Sequence, residues 1–391
     1  MKKDNVFLHP LTIPTSEFKL RIIVTNHGLR KMAGTELATF ELAQALRELG
    51  HEVGVFSPFL GRFAFLQAWK NQIPVFSLGD SLALKKFNPD VIHLQHWPNH
   101  LLLDEMGIHA PRLFHFHGAS APLESPPRIK GYCPPWIAVS DITFSSVAED
   151  SGWDAKAGSR ISKWGASESD YGRSVQPLVT DVKLKNVLVV SNHFPALYSE
   201  WVIRAGRELG FNASFIGEGN KVKPVTDTLL VHFDAVVSLG RTAVQSATLG
   251  IPTLLLDHLG LDGWVTPLNY KDLESTGFSG SYLKDTGFSY ENLLNMFRNP
   301  PTPQDLAEVA LIFKKSHSLA VIAKQIETHL KLASTQQQDF TFERSAYVAA
   351  NYITQLWLTE NRKFAMRKIV QRVIQRRLIR NFYELSTNAY N

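Results

Sequence analysis

Six of the fourteen histidines fall within one short stretch: His93, His96, His100, His109, His115 and His117. Clustered neutral imidazoles can ligate a metal or carry a proton. No HExxH spacing or carboxylate-rich companion motif accompanies them, so no metal site is expected. His115 and His117 stand two residues apart in a run that ends at Gly118, which puts both rings on one face if the run is a strand. A second chemical constellation is Gly240-Arg241-Thr242, directly after a short apolar run. Gly240 lets the backbone approach a ligand closely. Thr242 can cap the helix that follows, whose free N–H groups face an anion. Arg241 offers a planar fork suited to phosphate oxygens. The same residues also read as a plain turn and a surface ion-pair partner. Near the start, Gly28 and Gly34 bracket a loop, and Glu36 sits in the first turn of the next helix. An acid there stabilises the helix dipole by a few tenths of a kcal/mol with no catalytic duty.

The elements that must hold these residues alternate. Leu20 to Thr25 is a β-branched run, Glu36 to Leu49 is a helix with Leu42, Ala45, Leu46 and Leu49 on one side, and His51 to Phe56 is a second strand. Such a βαβ unit implies a parallel sheet with right-handed crossovers. Strands follow at Asp90–Leu94, Arg112–Phe116 and Trp136–Val139. After a less patterned stretch from Glu168 to Lys183, strand Asn186–Val190 restarts the alternation. Helix Glu200–Leu209, strands Ala213–Ile216 and Ala235–Val237, helix Thr242–Leu249 and strand Thr253–Leu256 complete it. The reading is α/β, with two consecutive parallel-sheet domains joined near residue 180. Ligands of such sheets bind beyond the carboxyl ends of the strands, so the facing crevice is the expected site.

Length and charge narrow the classes. The chain has 391 residues, 44% of them apolar and 20% charged, which excludes large-scale disorder. Of the net charge of +5, the segment from Phe340 to the end carries nine basic and three acidic residues, 9 − 3 = +6, so the remainder sums to 5 − 6 = −1. A near-neutral body gives no footprint for nucleic acid. The single cysteine, Cys133, rules out an internal disulfide and a thiolate-rich metal site and fits the cytoplasm. No secretion signal and no membrane-spanning segment is expected.

The motifs resemble those of the GT-B fold, nucleotide-sugar-dependent glycosyltransferases around glycosyltransferase family 4. The carriers are Gly240-Arg241-Thr242-Ala243-Val244-Gln245, Gly250-Ile251-Pro252, Asp257, and Leu261-Asp262-Gly263-Trp264-Val265-Thr266. Gly34-Thr35-Glu36, Leu49-Gly50-His51-Glu52-Val53, His117-Gly118, Ile137-Ala138-Val139-Ser140 and Ile216-Gly217-Glu218-Gly219 agree as well. The resemblance implies two Rossmann-like domains, at 1–180 on the acceptor side and 181–339 on the donor side, a crossover helix at 340–360 and a basic helical tail at 361–391. It implies donor contacts at Gly240, Arg241, Thr242, Gln245, Asp257, Gly260, Asp262, Gly263, Gly217 and Asn192. Acceptor-side contacts would be Gly34, Thr35, His27, His117 and Gly118, with His117 and Arg241 catalytic. The paired glutamates of the family are replaced by Val237 and Gln245, and the usual Arg and Lys have no counterpart in Ser191 to Tyr198.

The expected activity is transfer of a sugar from a nucleotide-diphosphate sugar to an acceptor hydroxyl in cell-envelope polysaccharide or glycolipid synthesis. No cofactor or metal is called for. Two alternatives stay open: a relative that binds a nucleotide or glycan without turnover, and a sugar-nucleotide epimerase. In the tail, Met366, Val370, Ile374 and Leu378 oppose Lys368, Arg372, Arg376 and Arg380 at helical spacing. That pattern suits an anionic membrane surface near a lipid-linked acceptor, or a solvated terminal helix.

Overall fold

The computed structural model describes residues 18–30, 34–118, 123–124, 134–150, 153–165, 183–217, 224–283 and 288–336. Cys133, the crossover segment expected at 340–360 and the basic tail lie outside the described residues.

The first sheet has seven parallel strands in the order β3-β2-β1-β4-β5-β6-β7. They are β1 (Arg21–Thr25), β2 (Glu52–Phe56), β3 (Val75–Phe76), β4 (Val91–Gln95), β5 (Arg112–Phe116), β6 (Trp136–Ala138) and β7 (Gly158–Arg160). The central strands are buried on both faces, which explains their nearly unbroken apolar sequences. The second sheet is ordered β12-β11-β10-β8-β9. Its strands are β8 (Asn186–Val190), β9 (Asn212–Ile216), β10 (Ala235–Ser238), β11 (Thr253–Asp257) and β12 (Gly260–Trp264). Four of these are parallel, and β12 pairs antiparallel with β11. The stretch expected to form a donor loop from Gly260 onward is therefore an edge hairpin strand. A two-residue connection at His258 and Leu259 permits no crossover, so the chain can only turn back on itself.

Two helices decide where the site falls. Helix α1 (Gly34–Glu48) covers one face of the first sheet, and α8 (Gly240–Thr248) follows β10 in the second. Helix α12 (Leu319–Ser334) starts beyond the second domain but buries Ile322, Ala323, Ile326, Leu330 and Ala333 in the core beside α1. The chain thus already returns to the first domain at residue 319. This helix lies upstream of the segment from which the sequence reading expected the return.

The domains are seated on one another by the segment after β7. The Gly165 N–H donates to the His317 carbonyl at 2.8 Å, His317 Nδ1 contacts the Lys163 carbonyl at 2.9 Å, and Ser162 bonds Glu274. A methyl group on Gly165 would lie 2.7 Å from Thr248 Oγ1 and 3.1 Å from the Val244 carbonyl, so only glycine lets the segment lie this close to α8.

Candidate active site

At the carboxyl ends of three neighbouring strands, β1, β4 and β5, stand His27, His96 and His117. Their backbones leave the sheet there because no further ladder partner is available. His96 adopts φ 62°, a left-handed conformation seldom taken by a residue with a side chain and one that concentrates at functional sites. His27 Nδ1 lies 3.2 Å from His96 Nδ1, and the His27 backbone N–H donates to the same His96 nitrogen at 3.3 Å. His96 Nε2 lies 3.5 Å from Glu124 Oε1. The other carboxylate oxygen of Glu124 accepts the His117 backbone N–H at 2.8 Å.

His117 continues inward. Its ring centroid is 4.0 Å from that of His115, and His115 Nδ1 lies 3.0 Å from His93 Nε2 inside the sheet. Burial disfavours the imidazolium in all of these rings, lowering His117 and His93 to about 3 and His27 to about 4. They stand as neutral imidazoles, and His117 Nε2 is buried without a partner. Among the described residues no group of three His, Cys, Asp or Glu is arranged to hold a metal.

Across the gap stands Lys163, which the sequence reading did not single out. Its Nζ donates to the Gly277 carbonyl at 3.1 Å and comes within 3.6 Å of a side-chain position at Gly240, the first residue of α8. Burial pulls this ammonium down to about 8, while Glu124 opposes the fall. Burial raises Glu124 to about 7, countered by the His117 N–H and by Lys163. An acid and a base whose affinities for a proton have converged, in a crevice between two domains, mark a functional site. Nothing periodic signals either residue. Glu124 sits in the proline-rich Ala121 to Pro127 and Lys163 in an irregular stretch after an edge strand.

Arg241 is engaged: its Nη2 lies 2.5 Å from Glu41 Oε1 on α1, and its Nε is buried without a partner. Glu41 also accepts from Trp164 Nε1 at 3.1 Å, so this carboxylate clamps both walls of the crevice. The cap expected of Thr242 is not made. Helix α8 starts two residues earlier, with Leu239 at the N-cap and Gly240 at φ 56°. Gln245 is buried and donates to Asp227 beneath the helix. Asp257 accepts Ser191 Oγ at 2.6 Å and the His258 N–H at 2.7 Å, fixing the loop after β8. Asp262, in β12 between Gly260 and Gly263, accepts the Tyr282 and Leu283 N–H groups at 3.1 and 3.0 Å. A methyl group on Gly217 would meet the Ser191 carbonyl at 1.7 Å, at a backbone φ of 139°, so its glycine serves close packing of two loops. Asn192 is exposed in that neighbouring loop. On the acceptor side, the Thr35 carbonyl accepts from Asn26 Nδ2 at 3.2 Å, Gly34 opens α1, and Gly118 borders open space. The structure thus gathers His27, His117, Gly118, Gly240 and Arg241 around the crevice, whereas Gln245, Asp262 and Gly217 are held by internal bonds or packing.

Two mostly parallel α/β units facing each other at the carboxyl ends of their strands, with a terminal helix returning to the first, define the GT-B fold. Residues 32–139 match a sequence model of Glycosyltransferase Family 4. A crystal structure of a glycosyltransferase from Rickettsia africae ESF-5 superposes with a TM-score of 0.55 at 15% identity, over 82% of this chain and 100% of that one. The S. aureus MnaA–UDP structure gives 0.50 at 11% identity, over 83% and 100%. No curated protein matches in sequence. The chain is a divergent GT-B protein resembling Glycosyltransferase Family 4.

Proposed function

We propose that this protein is a glycosyltransferase that moves a sugar from a nucleotide-diphosphate donor to an acceptor hydroxyl. The observation that carries the reading is Lys163, a buried ammonium held between the first-domain cluster of His117 and Glu124 and the second-domain turns at Gly240 and Gly277. A cation there meets the charge that develops on a departing diphosphate, and its partial dehydration strengthens the effect. Lys163 would thus do the work of the Arg and Lys that are missing after β8. Arg241 would add a bidentate contact when Glu41 releases it.

S. aureus MnaA, which shares this fold, was solved with UDP, and a nucleoside diphosphate is the ligand chemistry proposed here. The acceptor would approach over His27, Gly34 and Gly118. The net charge of the terminal segment, +6, supports an acceptor carried on an anionic membrane and a peripheral position at its inner face. Among the described residues no helix is long and apolar enough to cross a membrane.

Calorimetry of the full chain against UDP, GDP, dTDP and their common sugars, with mass spectrometry of the products, tests the proposal. Saturable binding of one sugar nucleotide and transfer to an added glycan or glycolipid is expected. Binding without transfer would favour a non-catalytic binder. Interconversion of the donor without acceptor would favour an epimerase.

A further inference from the structure

The outer face of helix α2 (Arg62–Asn71) is not the polar face expected of a surface helix. Its inner side buries Phe63 and Ala64, with the Phe63 and Phe40 ring centroids 6.0 Å apart against α1. On the outer side Phe65 is 60% exposed, Leu66 48% and Trp69 82%. At 100° per residue, Phe65, Trp69, Arg62, Leu66 and Lys70 follow one another across a single arc of about 140°. Single exposed apolar residues are ordinary, but three on one arc form a patch. Arg62 and Lys70 are exposed as well, so one cation stands within the apolar strip and one at its edge.

The surroundings of this face are basic. No Asp or Glu occurs from Val53 to Gly79. Arg47 of α1 donates to the Asn71 and Gln72 carbonyls at the carboxyl end of α2. At its amino end, the Arg30 backbone packs against Gly61, and the Arg30 guanidinium lies 5.4 Å from the centre of the Phe59 ring. Of the acids on α1, Glu36 is buried, Glu41 is bonded to Arg241 and Trp164, and Glu48 accepts from Gln44 at 2.9 Å. The helix is also tied to the acceptor side of the crevice. The Leu29 N–H donates to the Phe59 carbonyl at 2.8 Å, and the Gly61 N–H donates to the Leu29 carbonyl at 2.9 Å. These bonds join the turn that opens α2 to the β1 loop carrying His27, so a surface on which α2 rests lies beside that rim.

We propose that α2 docks on an anionic bilayer, with Phe65, Leu66 and Trp69 entering the headgroup boundary and Arg62 and Lys70 meeting lipid phosphates. Aromatic and aliphatic side chains interleaved with cations, with no carboxylate among them, complement a surface that is anionic outside and apolar beneath. The indole of Trp69 suits that boundary, since its ring is apolar and its N–H polar. Docking there brings the acceptor-side loops to a lipid-linked hydroxyl. That last consequence rests on the transferase reading above, whereas the docking itself does not.

The test sediments the full chain, without donor or acceptor, with vesicles of phosphatidylcholine alone and of an equal mixture with phosphatidylglycerol. Binding to the mixed vesicles is expected. Arg62→Gln/Lys70→Gln should weaken it about 25-fold, because each cation near an anionic surface strengthens binding about fivefold. Phe65→Ser/Leu66→Ser/Trp69→Ser should weaken it more than about tenfold with an unchanged melting temperature, since all three side chains are exposed. Binding by this triple variant equal to the parent's would place the contact elsewhere, on the basic C-terminal segment above all, and overturn the proposal. A second measurement uses Trp69→Phe, which keeps the face apolar, and mixed vesicles with brominated acyl chains. The parent should lose a larger fraction of its tryptophan fluorescence than the variant, and equal quenching overturns the insertion. A dimer of the chain alone that Trp69→Ser dissociates would assign the face to a second copy and overturn the proposal as well. If vesicles are bound but no sugar nucleotide is turned over, the transferase reading fails and the docking stands. If a donor is turned over and no vesicle is bound, the docking alone fails.

Discussion

Replacing Lys163 by Met separates a cation kept for function from one kept for stability. In the folded chain its ammonium is weakened from 10.5 to about 8, chiefly by burial. At pH 7 the fold therefore holds a charge it disfavours by about 3 kcal/mol, at 1.36 kcal/mol for each tenfold change in proton affinity. Residual contact with solvent lowers that figure, and losing the bond to the Gly277 carbonyl offsets about 1 kcal/mol of the gain. Removing Lys163 leaves Glu124 protonated near neutrality, so no unpaired charge is stranded. The net expectation is a Lys163→Met protein about 1 kcal/mol more stable than the parent at pH 7, about 2 to 4 °C in Tm. Because the folded value lies below the unfolded one, the penalty is complete below pH 8, shrinks between pH 8 and 10.5, and vanishes above. Denaturant melts at pH 7, 8.5 and 10 should show the two proteins converging as the pH rises. A variant clearly less stable than the parent at pH 7, or a difference independent of pH, would refute the argument and make Lys163 a structural cation of the domain seat.

Arg241→Ala should cut donor turnover by orders of magnitude and cost about 1 to 3 kcal/mol of stability without unfolding the protein, since its pair with Glu41 is largely buried, the two side chains being 16% and 27% exposed; paired activity and melting measurements check both. Gly217→Ala should destabilise the second domain by about 3 kcal/mol or more, seen in denaturant melts, because a methyl group has no room against the Ser191 carbonyl. Glu124 titrates near 7 in the fold rather than near 4.5, so the parent should lose about 3 kcal/mol of stability relative to Glu124→Gln as the pH climbs from 4.5 through 7, with no further change just above. Melts of both proteins across that range read the effect directly.

Much of the framework was legible because buried parallel strands leave continuous apolar runs: β1, β5, β8 and β11 are found where Arg21, Arg112, Asn186 and Thr253 begin such runs. The two-residue β3 and the three-residue β7 are too short to show a period. β12 went unread because its glycines, Gly260 and Gly263, look like a loop until the antiparallel ladder with β11 supplies their partners. The return helix α12 was missed because its amphipathic pattern says that a face is buried without saying against which domain. His27 and His117 were recoverable as strand-end residues. His96, Glu124, Lys163 and Glu41 were not assigned, since their roles depend on contacts between segments that sequence spacing does not relate. Gln245 and Asp262 were assigned by motif to the donor, but their side chains are occupied by Asp227 and by the Tyr282 and Leu283 N–H groups.

The claim that one ligand is gripped by both domains is tested most directly by hydrogen exchange of the full chain with and without saturating UDP, GDP or dTDP sugar. Protection should appear together at His117, at Lys163 to Gly165, at Gly240 to Thr242 and at Gly277 to Gly280. Protection confined to a single domain, or none with any donor, would contradict the account.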